Sequence, residues 1–171
     1  MGKRASLDPQ QFALYRMERE EIGARDYARL TFPACKRLSR SVCRAYGVPQ
    51  ARLRKRVMGR WAAEWYDDVI TLNPKKGTAT DLLTILHELA HHIHWHLTGP
   101  NYNEHQDHGK EFMACYLSIL DTCRCVPYDA MITICKRRKL KYISPGPSLR
   151  TLWAAIGTKP VRRHAAGPSR G

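Results

Sequence analysis

The stretch from Asp81 to Leu97 constrains this chain more than any other. Its apolar residues Leu82, Leu83, Ile85, Leu86, Leu89, Ala90 and Ile93 spread over more than one face of a helix. A helix of that kind belongs at the centre of a fold, walled in by other elements. Thr78 or Thr80 can cap it, Asp81 suits its first turn, and Gly99-Pro100 ends it. Inside the same helix stands His87-Glu88-Leu89-Ala90-His91. Two imidazoles and a carboxylate buried among leucines are costly unless something satisfies them, and a metal ion does so.

The H-E-x-x-H spacing has a physical reason. Side chains four apart on a helix lie one turn above each other, with roots about 5–6 Å apart. Two imidazoles can then converge on one zinc at about 2.0–2.1 Å each. Glu88 is one step round from His87 and is placed to reach a water on that zinc rather than the zinc itself. As general base it takes the water's proton, while zinc lowers the water's pKa towards about 7 and polarises the scissile carbonyl. Such a site wants a third protein ligand and an open fourth position. His108 is the best-placed candidate, because a loop returns it and Gly109 lets the backbone pass close to the metal. Glu111 and His105 are alternatives, and Glu111 can also hydrogen-bond a ligand imidazole. His92, His94 and His96 read as partly exposed or supporting histidines. Tyr102, Tyr116 and Tyr142 are unranked candidates for oxyanion stabilisation.

Around this helix the periodicity predicts an α+β fold. A helix is expected from about Pro9, after an Asp8 cap, to Arg29, broken by Phe32-Pro33. A second is expected from about Ala34 to Tyr46, closed by Gly47. Residues 52–57, 59–65 and 69–72 read as strands of a small, largely antiparallel three-stranded sheet, the last pair joined at Tyr66-Asp67-Asp68. Further helices are expected over about 109–122, 127–138 and 148–156. Residues 1–156 thus read as one domain, and 157–171 as a flexible basic tail.

The 171 residues carry a formal net charge of +14, unevenly spread. Between Cys35 and Arg60 nine basic residues occur and no acidic one; after Asp129 there are ten more and again no acid. Runs so free of acid favour a polyanion, most obviously nucleic acid. Met1-Gly2 with Ser6 matches a myristoylation pattern that chance often produces. No run is long enough to span a membrane and the N-terminus has no apolar signal core, which places the expected protein in the cytoplasm or at the nucleoid. Its size and termini suit a bacterial or phage source. The six cysteines then read as reduced core thiols; Cys123 and Cys125 form a lone C-x-C, not the two pairs of a zinc ribbon.

His87-Glu88-Leu89-Ala90-His91, a loop, then His108-Gly109-Lys110-Glu111-Phe112 resembles the SprT-like metallopeptidase family, which includes the Spartan proteases. Its pattern is H-E-x-x-H, a spacer, then H-G-x-x-F. Gly59-Arg60-Trp61 and Val69-Ile70-Thr71-Leu72-Asn73-Pro74 also resemble the strand pair before that family's active-site helix, so the likeness runs from about Ala34 to Thr122. The resemblance implies a zincin-like core, with His87, His91 and His108 as zinc ligands and Glu88 as catalytic acid/base. It also implies action on DNA-bound proteins, although no ubiquitin- or clamp-binding extension is evident. Two other readings use the same residues: an ImmA-type protease that cleaves a repressor, and a non-catalytic zinc-containing DNA-binding or structural protein. The intact Glu88 argues against the last, since a structural zinc has no need of it.

Overall fold

The structure, a computed structural model, describes residues 8, 10–23, 29–98 and 108–143. The expected helix over 148–156, the tail, the N-terminal pattern, Tyr102 and His105 lie outside those residues. The described chain is α+β, as the sequence predicts. Helix α1 (Gln11–Met17) continues into a π-helical turn (Glu18–Ile22). Then follow α2 (Phe32–Ala45), β1 (Arg52–Lys55), β2 (Ala63–Tyr66), β3 (Val69–Leu72), α3 (Leu82–Thr98), α4 (Lys110–Thr122) and α5 (Tyr128–Arg138).

Helix α3 lies at the centre, against α2, α4 and β2. Ile85 through Ala90 are six consecutive buried residues, as expected for a helix apolar all round. Helix α4 is equally enclosed, with Phe112 through Leu120 all buried. Tyr46, fully covered, ties α2 to α4 through its hydroxyl, 2.7 Å from Ser118 Oγ. Among the described residues, no helix is long and apolar enough to cross a membrane.

Two expectations about the sheet need correction, its pairing and the extent of its second strand. The sheet is mixed, not largely antiparallel. Its order is β1-β3-β2, with β1 parallel and β2 antiparallel to β3. The tight hairpin is β2–β3, because Asp67 and Asp68 both take left-handed conformations (φ 47° and 62°), which match the twist of a two-residue turn. Residues 56–62 carry the chain past β3 to its far side and are not a strand; Asn73, fully buried, donates from Nδ2 to the carbonyls of Met58 and Trp61 and fixes that loop.

The first helix ends early. The Gly23 N–H bonds the Glu18 carbonyl at 2.5 Å, and a Cβ at position 23 would lie 2.7 Å from the same oxygen. Glycine therefore closes the π turn and stops the helix well short of Arg29. Phe32-Pro33 does not break structure but opens α2. Thr31 caps that helix by accepting the Ala34 N–H, and Pro33 sits in the first turn, where its missing N–H costs nothing.

Candidate metal centre

Helix α3 presents His87 and His91 one turn apart, and His108 arrives immediately before Gly109, which starts α4. The three rings gather as the sequence predicts. Their centroids lie 5.0 Å (His87–His91), 5.2 Å (His87–His108) and 4.9 Å (His91–His108) apart. One nitrogen from each lies within 4.8 Å of the others, a group that could hold a metal ion. Glu111 is not part of that group. Phe112 floors the cluster, its centroid 4.4 Å from that of His91 and 5.0 Å from that of His108.

Two carboxylates that the sequence did not single out for this role fix the rings. Nδ1 of His87 is 2.7 Å from Glu18 Oε1, and Nδ1 of His108 is 2.8 Å from Asp8 Oδ2. A carboxylate only accepts, so both Nδ1 atoms carry a proton, and in the neutral rings Nε2 is the nitrogen left to face a metal. Those Nε2 atoms face each other at 3.2 Å. At that distance one nitrogen donates to the other when either ring is an imidazolium, and a metal ion bound by both would take the place of that proton. The spacing is close to the edge of a tetrahedron with bonds of about 2.0–2.1 Å, which is about 3.3 Å. The donor set therefore fits a metal ion, and carboxylates on the far nitrogens are the usual means of orienting metal-binding imidazoles.

Asp8 was expected as a helix cap. It does accept the Gln10 N–H at 3.0 Å, but its second oxygen takes both the backbone N–H and the ring N–H of His108. Gln10, nearly buried, adds a bond from Nε2 to the His108 carbonyl at 2.6 Å. The π turn supplies Glu18. A register change of this kind commonly marks a functional position.

Glu88 is 8% exposed, and burial pushes its carboxyl up to about 7; the His87 imidazole and a hydrogen bond from the Trp65 backbone pull it partly back. Burial, reinforced by the positive charge of neighbouring imidazoles, holds His91 well below the usual histidine range. Burial pushes His87 down as well, but the Glu18 carboxylate outweighs it and the net shift is upward.

Two adjoining clefts open onto the cluster, of about 360 and 630 Å³. Both are lined by Tyr15, Trp61, Ala63, His87 and Glu88, and the smaller also by His91 and His108. Tyr15 was not anticipated. Its ring centroid is 5.7 Å from those of both His87 and His108. Gln11 donates to its oxygen at 3.1 Å, and burial raises its pKa, so the phenol keeps a proton to donate. Of the expected tyrosines, Tyr116 is fully buried and packs behind His87, and neither it nor Tyr142 lines a cleft.

The remaining helix histidines are more enclosed than expected. His92 and His94 are fully buried. His92 accepts from Trp65 Nε1 at 3.2 Å and bonds the Pro49 carbonyl at 2.7 Å, while His96 reaches Asp68 at 2.7 Å. The six cysteines are free thiols, five of them buried, and none joins a group with metal-ligand spacing among the described residues. Comparison of the chain with models of protein families, with curated proteins and with solved structures returns no match.

Proposed function

We propose that the protein is a zinc metallopeptidase of the SprT-like kind, with His87, His91 and His108 as metal ligands and Glu88 as general base. The observation that carries this reading is the gathering of His87, His91 and His108, with Nε2 of His87 and His108 3.2 Å apart and both far nitrogens held by carboxylates. Imidazole donors in a three-histidine set suit zinc above the oxygen-seeking cations. When bound there, zinc supplies a Lewis acid for the scissile carbonyl and brings a water's pKa towards about 7.

The chain's own residues supply the rest. Glu88 borders both clefts beside two of the three ligands, and its raised carboxyl is poised to take a proton from water and return it to the leaving amine. Tyr15 is the phenol at the cluster that can donate to a developing oxyanion. Strand β2 is an edge strand whose Ala63 to Tyr66 line the smaller cleft. An edge strand beside the cleft suits an extended polypeptide substrate.

The nine basic residues between Cys35 and Arg60 are all exposed, on α2, on β1 and in the following loop. They support action on proteins held at nucleic acid. The test is hydrolysis of an unfolded protein substrate by purified chain. Cleavage should stop on chelation and return with zinc, and His108→Ala should release the metal. Cleavage indifferent to chelation would overturn the reading.

A further inference from the structure

We propose that Asp68, His92 and His96 form a second metal site, one that takes a divalent first-row transition-metal ion such as zinc and clamps the β2–β3 turn to α3. The three side chains bring one donor atom each to within 4.8 Å of the others. His92 and His96 stand one turn apart on α3, with ring centroids 4.5 Å apart. They lie on a different face of the helix from His87 and His91.

The hydrogen bonds at this cluster orient its donor atoms. Nε2 of His92 bonds the Pro49 carbonyl, which can only accept, so Nε2 carries the proton and Nδ1 presents a lone pair. That lone pair is 3.4 Å from Asp68 Oδ1, a second acceptor. The indole N–H of Trp65 donates to Nδ1 at 3.2 Å, and a metal ion at Nδ1 would take the place of that bond. The same Asp68 oxygen lies 2.7 Å from His96 Nε2. One carboxylate oxygen thus lies close to both imidazole nitrogens, and a metal ion seated among the three atoms would meet all of them. The Pro49 carbonyl would orient His92 from its far nitrogen, as such partners do for metal-binding imidazoles.

Each ligand is held before any metal arrives. Asp68 is fixed by the left-handed turn, and its own carbonyl accepts the Arg52 N–H at 2.8 Å. The His92 side chain is fully buried, whereas those of Asp68 and His96 are 39% and 19% exposed, so the ion can enter and keep water on its open positions. Two imidazoles and one carboxylate select a transition metal over magnesium or calcium.

The test is a zinc titration of the chelator-stripped full chain against a competing chromophoric chelator. It compares wild type with Asp68→Asn, which tolerates the left-handed turn, and His96→Ala, at a partly exposed position. Wild type should bind one more equivalent than either variant, or bind that equivalent at least about 100-fold more tightly. Combining either substitution with His91→Ala separates the two centres. If only the second centre exists, His91→Ala removes nothing; if only the first exists, Asp68→Asn and His96→Ala titrate like wild type, which overturns the proposal.

Discussion

Nε2 of His87 stands 3.2 Å from Nε2 of His108, and each ring has its Nδ1 proton committed to a carboxylate: Glu18 for His87 and Asp8 for His108. Both carboxylates come from the first ten described residues of the chain, far in sequence from the histidines they hold. Asp8 and Glu18 are thereby part of the candidate metal centre.

Removing either carboxylate should loosen the metal without unfolding the chain. Glu18→Gln and Asp8→Asn keep the side-chain shape but lose the charge that orients the imidazole. Each is expected to weaken zinc binding by about 10- to 100-fold, measured by chelator competition. Wild-type affinity in both variants would show that these carboxylates do not support the ligands.

Zinc binding should also have an acid edge set by His87. Burial lowers the proton affinity of His87, but the Glu18 carboxylate raises it further, so the net pKa is above the ordinary 6.5. Protons therefore compete for Nε2 as pH falls through that raised value, and zinc affinity drops with them. Glu18→Gln removes the charge that raises it, so the acid edge should move to lower pH. An edge that stays in place in a titration of zinc affinity against pH would assign the competing proton to another group.

Phe112 connects the packing to the site, because its ring lies under His87, His91 and His108 and is itself fully buried. Phe112→Ala should cost about 3–5 kcal/mol in urea unfolding, the range for truncating a buried aromatic ring. It should also weaken zinc binding, since the cavity lets the three rings reorient. A loss below about 1 kcal/mol would mean that the ring is not part of the core.

The gathering of the three histidines was legible in the sequence because two of them obey helical spacing and the third follows in a recognisable second motif. The central helix was legible for a related reason: an apolar pattern all round has few solutions. Glu18 and Asp8 were not legible as partners of the site. Each has an adequate local explanation, as an exposed helix position and as a cap, and pairing over 69 and 100 residues leaves no periodic trace. Strand pairing was missed for a similar reason. Residues 52–55 have the same pattern whether their partner is antiparallel or parallel, and only the reach of the 56–62 loop decides. The enclosure of His92 depended on Trp65 and Pro49, which come from separate elements.

If the exposed basic face meets nucleic acid, the binding should be electrostatic. Affinity for duplex DNA should fall as salt rises, and Arg37→Glu with Arg40→Glu should reduce the salt slope by about two, one for each lost phosphate contact. A slope unchanged in the double variant would place the contact elsewhere on the chain.

The central claim is that Glu88 works as a base beside a metal held by His87, His91 and His108. The direct measurement is the rate at which zinc-loaded wild type and zinc-loaded Glu88→Gln cleave an unfolded protein, at equal measured zinc content. The account predicts that the variant keeps its zinc and cleaves at least about 100-fold more slowly. Equal rates at equal zinc content would contradict it.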